Sequence, residues 1–549
     1  MNSAALRPYH PTRLHELLES PAIKPAATAI IDGDASWTYA ELRQQAQQMA
    51  QAIHAAGALR GDRVAVLLPK SLAECAALLA PSLVDAVVVP LNPVLKPAQV
   101  RHVLADCEAR VLLTREQVLR GMGDERASLE ALPGLQIVFL DESEALPAEP
   151  AAASQDADAP AAGAAAGAAA NASSGPVAAA LPPTQAVAPD LAAILYTSGS
   201  TGLPKGVMLT HANLLAGTRI VRNYLGITGA DRILSVLPFS FDYGLNQWLT
   251  VLEQGALIVL LNFQLGDQIV RQLARHRITG LAGVPTVWAI LTKAAPSLLK
   301  TPLPDLRYIT NSGGAVPEAT VRRLREILPA TQIFLMYGLT EAFRSTFLPP
   351  SEVDHRPTSI GKAIPECEVF VVTADGRRAG PGEHGTLVHR GPTVSMGYWR
   401  RPEDTARVLR PNPLTPAVEG GETVCFSGDL AYADEDGFLY FVGRQDAMIK
   451  SAGYRISPSE VEDMLMSTGA FRQVAVIGLP DEWVGQRVAA VGVAADAGTT
   501  TEAVLAQASQ QLPAHMVPAR IDWVEALPTT PNGKVDYKLL VAQRSAPKP

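Results

Sequence analysis

At 549 residues the chain is too long for one ordinary hydrophobic core, so at least two domains are expected. Its 48% hydrophobic and 18% charged residues describe a globular protein with ample core, and a formal net charge of -8 leaves no excess of Lys or Arg to track a phosphate backbone, which excludes a general nucleic-acid binder. Cys75, Cys107, Cys367 and Cys425 stand far apart without a C-x-x-C pair, which suits a reducing compartment and supplies no metal framework.

No basic stretch followed by a long apolar run opens the sequence, so no secretory leader is read. The most apolar region, 75–94, is interrupted by Pro81, Asp85 and Pro90, so no transmembrane segment is expected and a cytoplasmic address is the default. Residues 37–57 have helical spacing and end at Gly57, 61–69 read as a strand, and 71–86 as a mostly apolar helix. Residues 87–93 and 109–114 read as buried strands; strands alternating with helices predict parallel sheets covered on both faces. From 142 to 189 the text becomes alanine-rich and almost free of aromatics, a composition that cannot bury enough to order itself and reads as a surface insertion.

Leu191 to Gly206, LAAILYTSGSTGLPKG, joins a short apolar strand to a loop. The loop carries Gly199, Gly202 and Gly206 among Thr197, Ser198, Ser200, Thr201 and Lys205. Glycines let backbone approach an anion, N–H groups and hydroxyls donate to its oxygens, and a lysine neutralises it. It is not a Walker loop, because Pro204 stands where a glycine belongs and Lys205 is followed by Gly206 rather than Ser or Thr.

Residues 210–225 read as a helix capped by Thr210, with His211 a structural residue at its start. The segments 231–261, 278–294 and 306–328 repeat a unit in which a strand ends in a glycine-containing loop that opens a helix, so several loops converge at one sheet edge. Tyr337, Gly338, Thr340 and Glu341 bring an aromatic face, a free backbone, a hydroxyl and a carboxylate together within five residues. They suit base stacking, phosphate contact and a magnesium ligand, although a strand-end tyrosine and a surface glutamate explain the group equally well. Segments 366–372, 385–391 and 437–443 read as strands of a β-rich subdomain, with Asp429 between two of them. Beyond Arg444, helices at 456–467 and 501–512 and strands at 474–480 and 488–495 make a small α/β domain.

Taken in order, TSGSTGLPKG (197–206), YGLTE (337–341), SGDLAYADEDGFLYFVGR (427–444), KSAGYRISPSEVE (450–462) and PTTPNGKVD (528–536) resemble the signature series of the adenylate-forming superfamily. That superfamily comprises acyl-CoA synthetases, amino-acid adenylation domains and luciferases. The resemblance implies an α/β fold: a large N-terminal domain, 1–444, of parallel-rich sheets flanked by helices plus a β-rich subdomain, and a small mobile C-terminal domain, 445–549. It further implies attack of a carboxylate on the α-phosphorus of ATP with Mg2+ present, then displacement of AMP by a thiol. By the same resemblance Thr197, Ser198, Gly199, Ser200, Thr201, Gly202 and Lys205 hold the β and γ phosphates, and Tyr337, Gly338 and the backbone of Gly313, Gly314 and Ala315 hold adenine. Thr340 meets the α-phosphate, Glu341 the metal, Asp429 both ribose hydroxyls, Arg444 the ribose and Arg455 the phosphates. Lys534 bridges substrate carboxylate and α-phosphate, Asp446 is the hinge, and Lys450 to Gly453 border the thiol channel.

The acid-binding stretch departs from many acyl-CoA ligases, which have a histidine where this chain has Phe241. Phe241–Asp242, with Gly244 beside them, resembles the Phe-Asp pair of amino-acid adenylation domains, whose aspartate grips an α-ammonium. A buried Asp242 asks for a cationic partner, whereas an Asp242 preceding a helix is explained as an N-cap. KSAGYRISPSEVE is closer to the acyl-CoA synthetases, and LPFSFDYGLNQ is also similar to ligases associated with bacterial exosortase systems. The leading expectation is an acid–CoA ligase that uses ATP, Mg2+ and CoA on a small-molecule acid. The competitors are an enzyme loading an amino acid onto a carrier protein's pantetheine and, from another class, a non-catalytic nucleotide-binding scaffold. The joint presence of Lys205, Glu341, Asp429, Arg444 and Lys534 argues against the last.

Overall fold

Period-two and continuous apolar runs pair into three sheets in a computed structural model that describes residues 9–140, 181–198, 204–415, 421–445, 447–451, 454–481, 484–496 and 498–545. The first sheet runs Gln136–Phe139, Ala109–Thr114, Arg63–Leu67, Val87–Pro90, Leu191–Ser198, Pro204–Thr210, parallel except for the last pair. In the second, a parallel run of Thr28–Asp32, Leu257–Leu260, Arg232–Ser235, Gly280–Gly283, Tyr308–Asn311 and Gln332–Leu339 is extended antiparallel by Ala342–Leu348 and Ser359–Ala363. Leu439–Arg444, Thr423–Ala433, Gly385–Arg390 and Glu368–Val372 continue the same sheet, so the strands read as a β-rich subdomain grow from the open edge of the parallel sheet. The third sheet draws only on residues from Ile449 onward and has its own core, in which Val461, Leu465, Val476 and Val488 are buried.

Several boundaries shift for identifiable reasons. The helix read at 71–86 divides into Leu72–Ala77 and a 3-10 turn Ala80–Val84, because Pro81 lacks the N–H that would continue it and Asp85 turns to φ 56°. The helix read from 37 starts at Tyr39: Thr38 caps it by accepting the Glu41 N–H, and Ala35–Thr38 is a strand. Asp429 lies inside strand Thr423–Ala433, not between strands. The end of the alanine-rich region is ordered, since the Arg13 guanidinium donates to the Thr184 carbonyl at 3.3 Å and the Ala212 N–H donates to the Ala188 carbonyl at 2.8 Å. Among the described residues no helix is long and apolar enough to cross a membrane.

Candidate active site

Strands Leu191–Ser198 and Pro204–Thr210 form an antiparallel hairpin with Thr197 opposite Lys205 and Ser198 opposite Pro204. Thr197, Ser198, Lys205 and Gly206, read as loop residues, are therefore strand ends. Gly199, Ser200, Thr201 and Gly202 lie outside the described residues, as does the Ser198 side chain. The Lys205 ammonium sits 2.8 Å from Asp404 Oδ2 and 5.8 Å from the centre of the Tyr398 ring. The Tyr398 hydroxyl donates to Glu341 Oε1 at 2.5 Å, so one tyrosine links the lysine of the hairpin to the carboxylate of YGLTE. Thr340 and Glu341 are the turn between strands Gln332–Leu339 and Ala342–Leu348, which fixes them at a sheet end.

The Tyr337 hydroxyl donates to Asp429 Oδ2, and the ring stacks on His389 with centroids 5.9 Å apart. Burial and the neighbouring carboxylate both raise the Tyr337 pKa well above the usual phenol range, so it stays a neutral donor. Arg444 pairs with Asp429 across adjacent strands, Nε to Oδ1 at 3.4 Å. Gly313, Gly314 and Ala315 follow strand Tyr308–Asn311, and the latter two are exposed, as backbone offered to a ligand must be. Gly338 sits in its strand without strained backbone.

At the other end, Phe241 is the N-cap of helix Asp242–Gln254 and makes no side-chain cap; Asp242 is the first helical residue, so the N-cap explanation of Asp242 fails. Its carboxylate is instead buried and faces Arg344 Nη2 at 3.8 Å. Gly244 serves close packing: a Cβ there would stand 2.2 Å from the Pro238 carbonyl oxygen. Lys534 comes from the far end of the chain and enters this region. Its ammonium lies 5.0 Å from the Phe241 ring centre, and its Cε would be 2.9 Å from a Cβ placed on Gly313. The turn carrying it is held from the opposite side, where the Thr286 hydroxyl donates to the Gly533 carbonyl at 3.0 Å and the Asn92 amide donates to the Pro531 carbonyl at 2.9 Å. Burial holds the Lys534 pKa below the usual lysine range, while Asp242, Glu341 and Asp429 pull it back up.

Sequence profiles agree with this arrangement. The AMP-binding enzyme family matches residues 17–399, and the AMP-binding enzyme C-terminal domain matches 460–534. The chain belongs to the AMP-binding enzyme family. That family lies within the adenylate-forming superfamily. A feruloyl-CoA synthase of Amycolatopsis sp is 32% identical over 521 residues, covering 93% of this chain and 95% of that protein. A linear gramicidin synthase of Brevibacillus parabrevis is 31% identical over 536 residues, 96% of this chain, which spans only 6% of that protein's length. The ATP-bound crystal structure of MatB from Rhodopseudomonas palustris superimposes with a TM-score of 0.80 at 26% identity, covering 97% of this chain and 99% of that one.

In this AMP-binding enzyme, Lys450 lies in hairpin Ile449–Ser451 and Tyr454–Ile456 with its side chain exposed. Gly453, Asp446 and the Arg455 side chain fall outside the described residues. His211 is buried; its Nδ1 accepts the Leu14 N–H at 3.2 Å and burial lowers its pKa to about 4, as a structural histidine requires. Sequence reasoning missed Arg344 and Tyr398. A charged residue inside the apolar strand AFRSTFL was the available signal for the first; nothing in the sequence pointed to Tyr398.

Proposed function

We propose that the protein converts a carboxylic acid to an acyl-adenylate and then to a CoA thioester, releasing AMP and pyrophosphate, with the nucleotide held from the 197–206 hairpin to Asp429. The observation that carries this reading is the seat of Lys534 between Gly313 and Phe241, within the fields of Asp242, Glu341 and Asp429. A cation there stabilises the charge that builds as the acid attacks the α-phosphorus, without transferring a proton. Asp429, an acceptor-only carboxylate, takes the ribose hydroxyls; Tyr337 and the Gly313–Ala315 backbone hold adenine. Glu341 is a single carboxylate with one oxygen bonded by Tyr398, a donor set that fits Mg2+ shared with substrate phosphates rather than a metal caged by protein. Magnesium would supply charge neutralisation at the phosphates.

Domain boundaries at 444 and 445 with a hinge at Asp446 accord with a third sheet built only from residues from Ile449 onward. Rotation there would withdraw Lys534 and bring Lys450 to Gly453 to the thiol channel. CoA as the thiol is supported by the near-complete coverage of the feruloyl-CoA synthase. Loading of an amino acid onto a carrier protein is disfavoured by Arg344, which already stands beside Asp242 where an α-ammonium would go. Lys534→Ala tests the assignment: ATP–pyrophosphate exchange should fall by roughly a hundred- to a thousandfold, while thioester formation from supplied acyl-adenylate persists. Equal loss of both steps would contradict it.

A further inference from the structure

The pair Asp242 and Arg344 has balanced charge but unfinished hydrogen bonding. Their side chains are 5% and 3% exposed, and 3.8 Å separates Asp242 Oδ2 from Arg344 Nη2, beyond hydrogen-bond reach. Among the described residues, Arg344 Nε and Nη2 find no acceptor. These two atoms form one edge of the guanidinium, with their N–H bonds side by side, and the cation is held over the Tyr243 ring at 4.8 Å. The Tyr243 hydroxyl is itself committed to Thr310 Oγ1 and leaves the pair alone. Tyr243 meets Phe241 edge-on with centroids 6.2 Å apart, and the Lys534 ammonium lies 5.0 Å from the Phe241 ring centre, so a chain of two rings joins the pair to the lysine proposed to meet the reacting carboxylate.

Resting on the acid-activation reading above, we infer that Asp242 and Arg344 are specificity-determining residues for a short acid bearing a hydroxyl, whose oxygen accepts from the Arg344 edge and whose O–H donates to Asp242. Three substituents compete for this place, and charge decides between them. An ammonium satisfies Asp242 but meets the Arg344 cation. A second carboxylate satisfies Arg344 but meets Asp242. An unsubstituted acid leaves two buried N–H donors against hydrocarbon, the least tolerated outcome for a charged group. A hydroxyl serves as acceptor and donor at once and adds no charge. Counting only Lys534, Arg344 and Asp242, the site carries one net positive charge, which the reacting carboxylate cancels.

The test is ATP–pyrophosphate exchange on matched sets of acids: lactate with propionate, alanine and methylmalonate; β-hydroxybutyrate with butyrate, β-aminobutyrate and methylsuccinate; para-hydroxybenzoate with benzoate, para-aminobenzoate and terephthalate. In at least one set the hydroxy acid should exceed its counterparts in kcat/KM by about a hundredfold or more. Arg344→Met should reduce that preference to within about tenfold while leaving KM for ATP unchanged. Asp242→Asn, nearly isosteric and thus less exposed to folding failure, should shift preference toward the carboxy-substituted acid by removing its repulsion. Exchange without hydroxyl preference in every set, or an unchanged acid profile in Asp242→Asn, overturns the inference and leaves adenylation standing. Absence of exchange with any acid would overturn the adenylation reading and this inference with it.

Discussion

Gly313→Ala separates backbone cost from site geometry. Gly313 holds φ +83°, a conformation that costs a residue with a Cβ about 1–2 kcal/mol, so the urea midpoint should fall with an unchanged m value. The added methyl would also stand 2.9 Å from Lys534 Cε and 3.4 Å from Phe241 Cζ. The ring contact is ordinary, but the lysine must retreat by about 0.5 Å to restore van der Waals distance. A catalytic group displaced by a fraction of an ångström loses roughly tenfold in rate. Adenylation, followed by ATP–pyrophosphate exchange with saturating acid, should therefore slow by about that factor. Thioester formation from supplied acyl-adenylate, a step in which Lys534 is proposed to have withdrawn, should stay within about twofold of the parent. An unaltered adenylation rate, or equal slowing of both steps, would refute the seating of Lys534 against this glycine as the arrangement that performs chemistry.

The remaining predictions address other charges. Asp429→Asn exchanges one of the two acceptor oxygens offered to the ribose hydroxyls for an NH2 donor and should raise KM for ATP by roughly ten- to a hundredfold with little change in KM for the acid; an unchanged ATP KM would remove Asp429 from the nucleotide site. The buried Lys70 ammonium donates to the Ser235 and Leu237 carbonyls at 3.1 and 2.6 Å, just before the turn carrying Phe241, so Lys70→Met should destabilise the fold by about 3 kcal/mol in chemical denaturation and raise KM for the acid. Glu462 accepts the Val476 N–H at 2.7 Å and the Tyr537 hydroxyl at 2.9 Å, and burial raises its pKa from 4.5 to about 7. A raised folded-state pKa means a contribution fully present below about 4.5 and lost as pH climbs through 7. Glu462→Gln should accordingly melt higher than the parent at pH 8, by about 1–3 kcal/mol of stability, with the gap closing toward pH 5; a gap independent of pH would show that Glu462 does not titrate in this window.

Much of the fold is legible in the sequence because its signals are local. Thr210 accepts the Asn213 N–H and caps its helix as read, whereas the helices read from 37 and 456 start at Tyr39 and Pro458, behind Thr38 and Ser457 caps of the same local kind. Strand pairing across long separations is not local. Nothing in the text near 342–348 says that this strand will hand the parallel sheet over to the antiparallel strands at 359–363 and 439–444. The same limit applies to the site. The phosphate hairpin and YGLTE are continuous in sequence, so composition exposes them. The partnership of Tyr398 with Glu341, or of Arg344 with Asp242, depends on segments 57 and about 100 residues apart brought together by the sheet. Asp242 itself could be read as an N-cap or as a demand for a cation, and the fold answers the second from another strand.

That answer also bears on how one site can serve two steps. If Asp242 relied on Lys534 as its counter-ion, withdrawal of the C-terminal segment would strand a buried carboxylate, and opening would carry the penalty of an unpaired charge, several kcal/mol. Arg344 belongs to the large sheet and stays when Lys534 leaves, so the Asp242–Arg344 pair remains neutral in either state. Lys534 then brings a surplus positive charge that is matched only when the acid's carboxylate and the α-phosphate are present. The division of labour predicts that Arg344→Met impairs opening: ATP–pyrophosphate exchange, which needs Lys534 in place, should persist in that variant. Single-turnover thioester formation from supplied acyl-adenylate should slow by about tenfold or more, because Lys534 would be retained by an otherwise unpaired Asp242. Parallel loss of both activities would mean that Arg344 supports the fold of the pocket and not the exchange of partners within it.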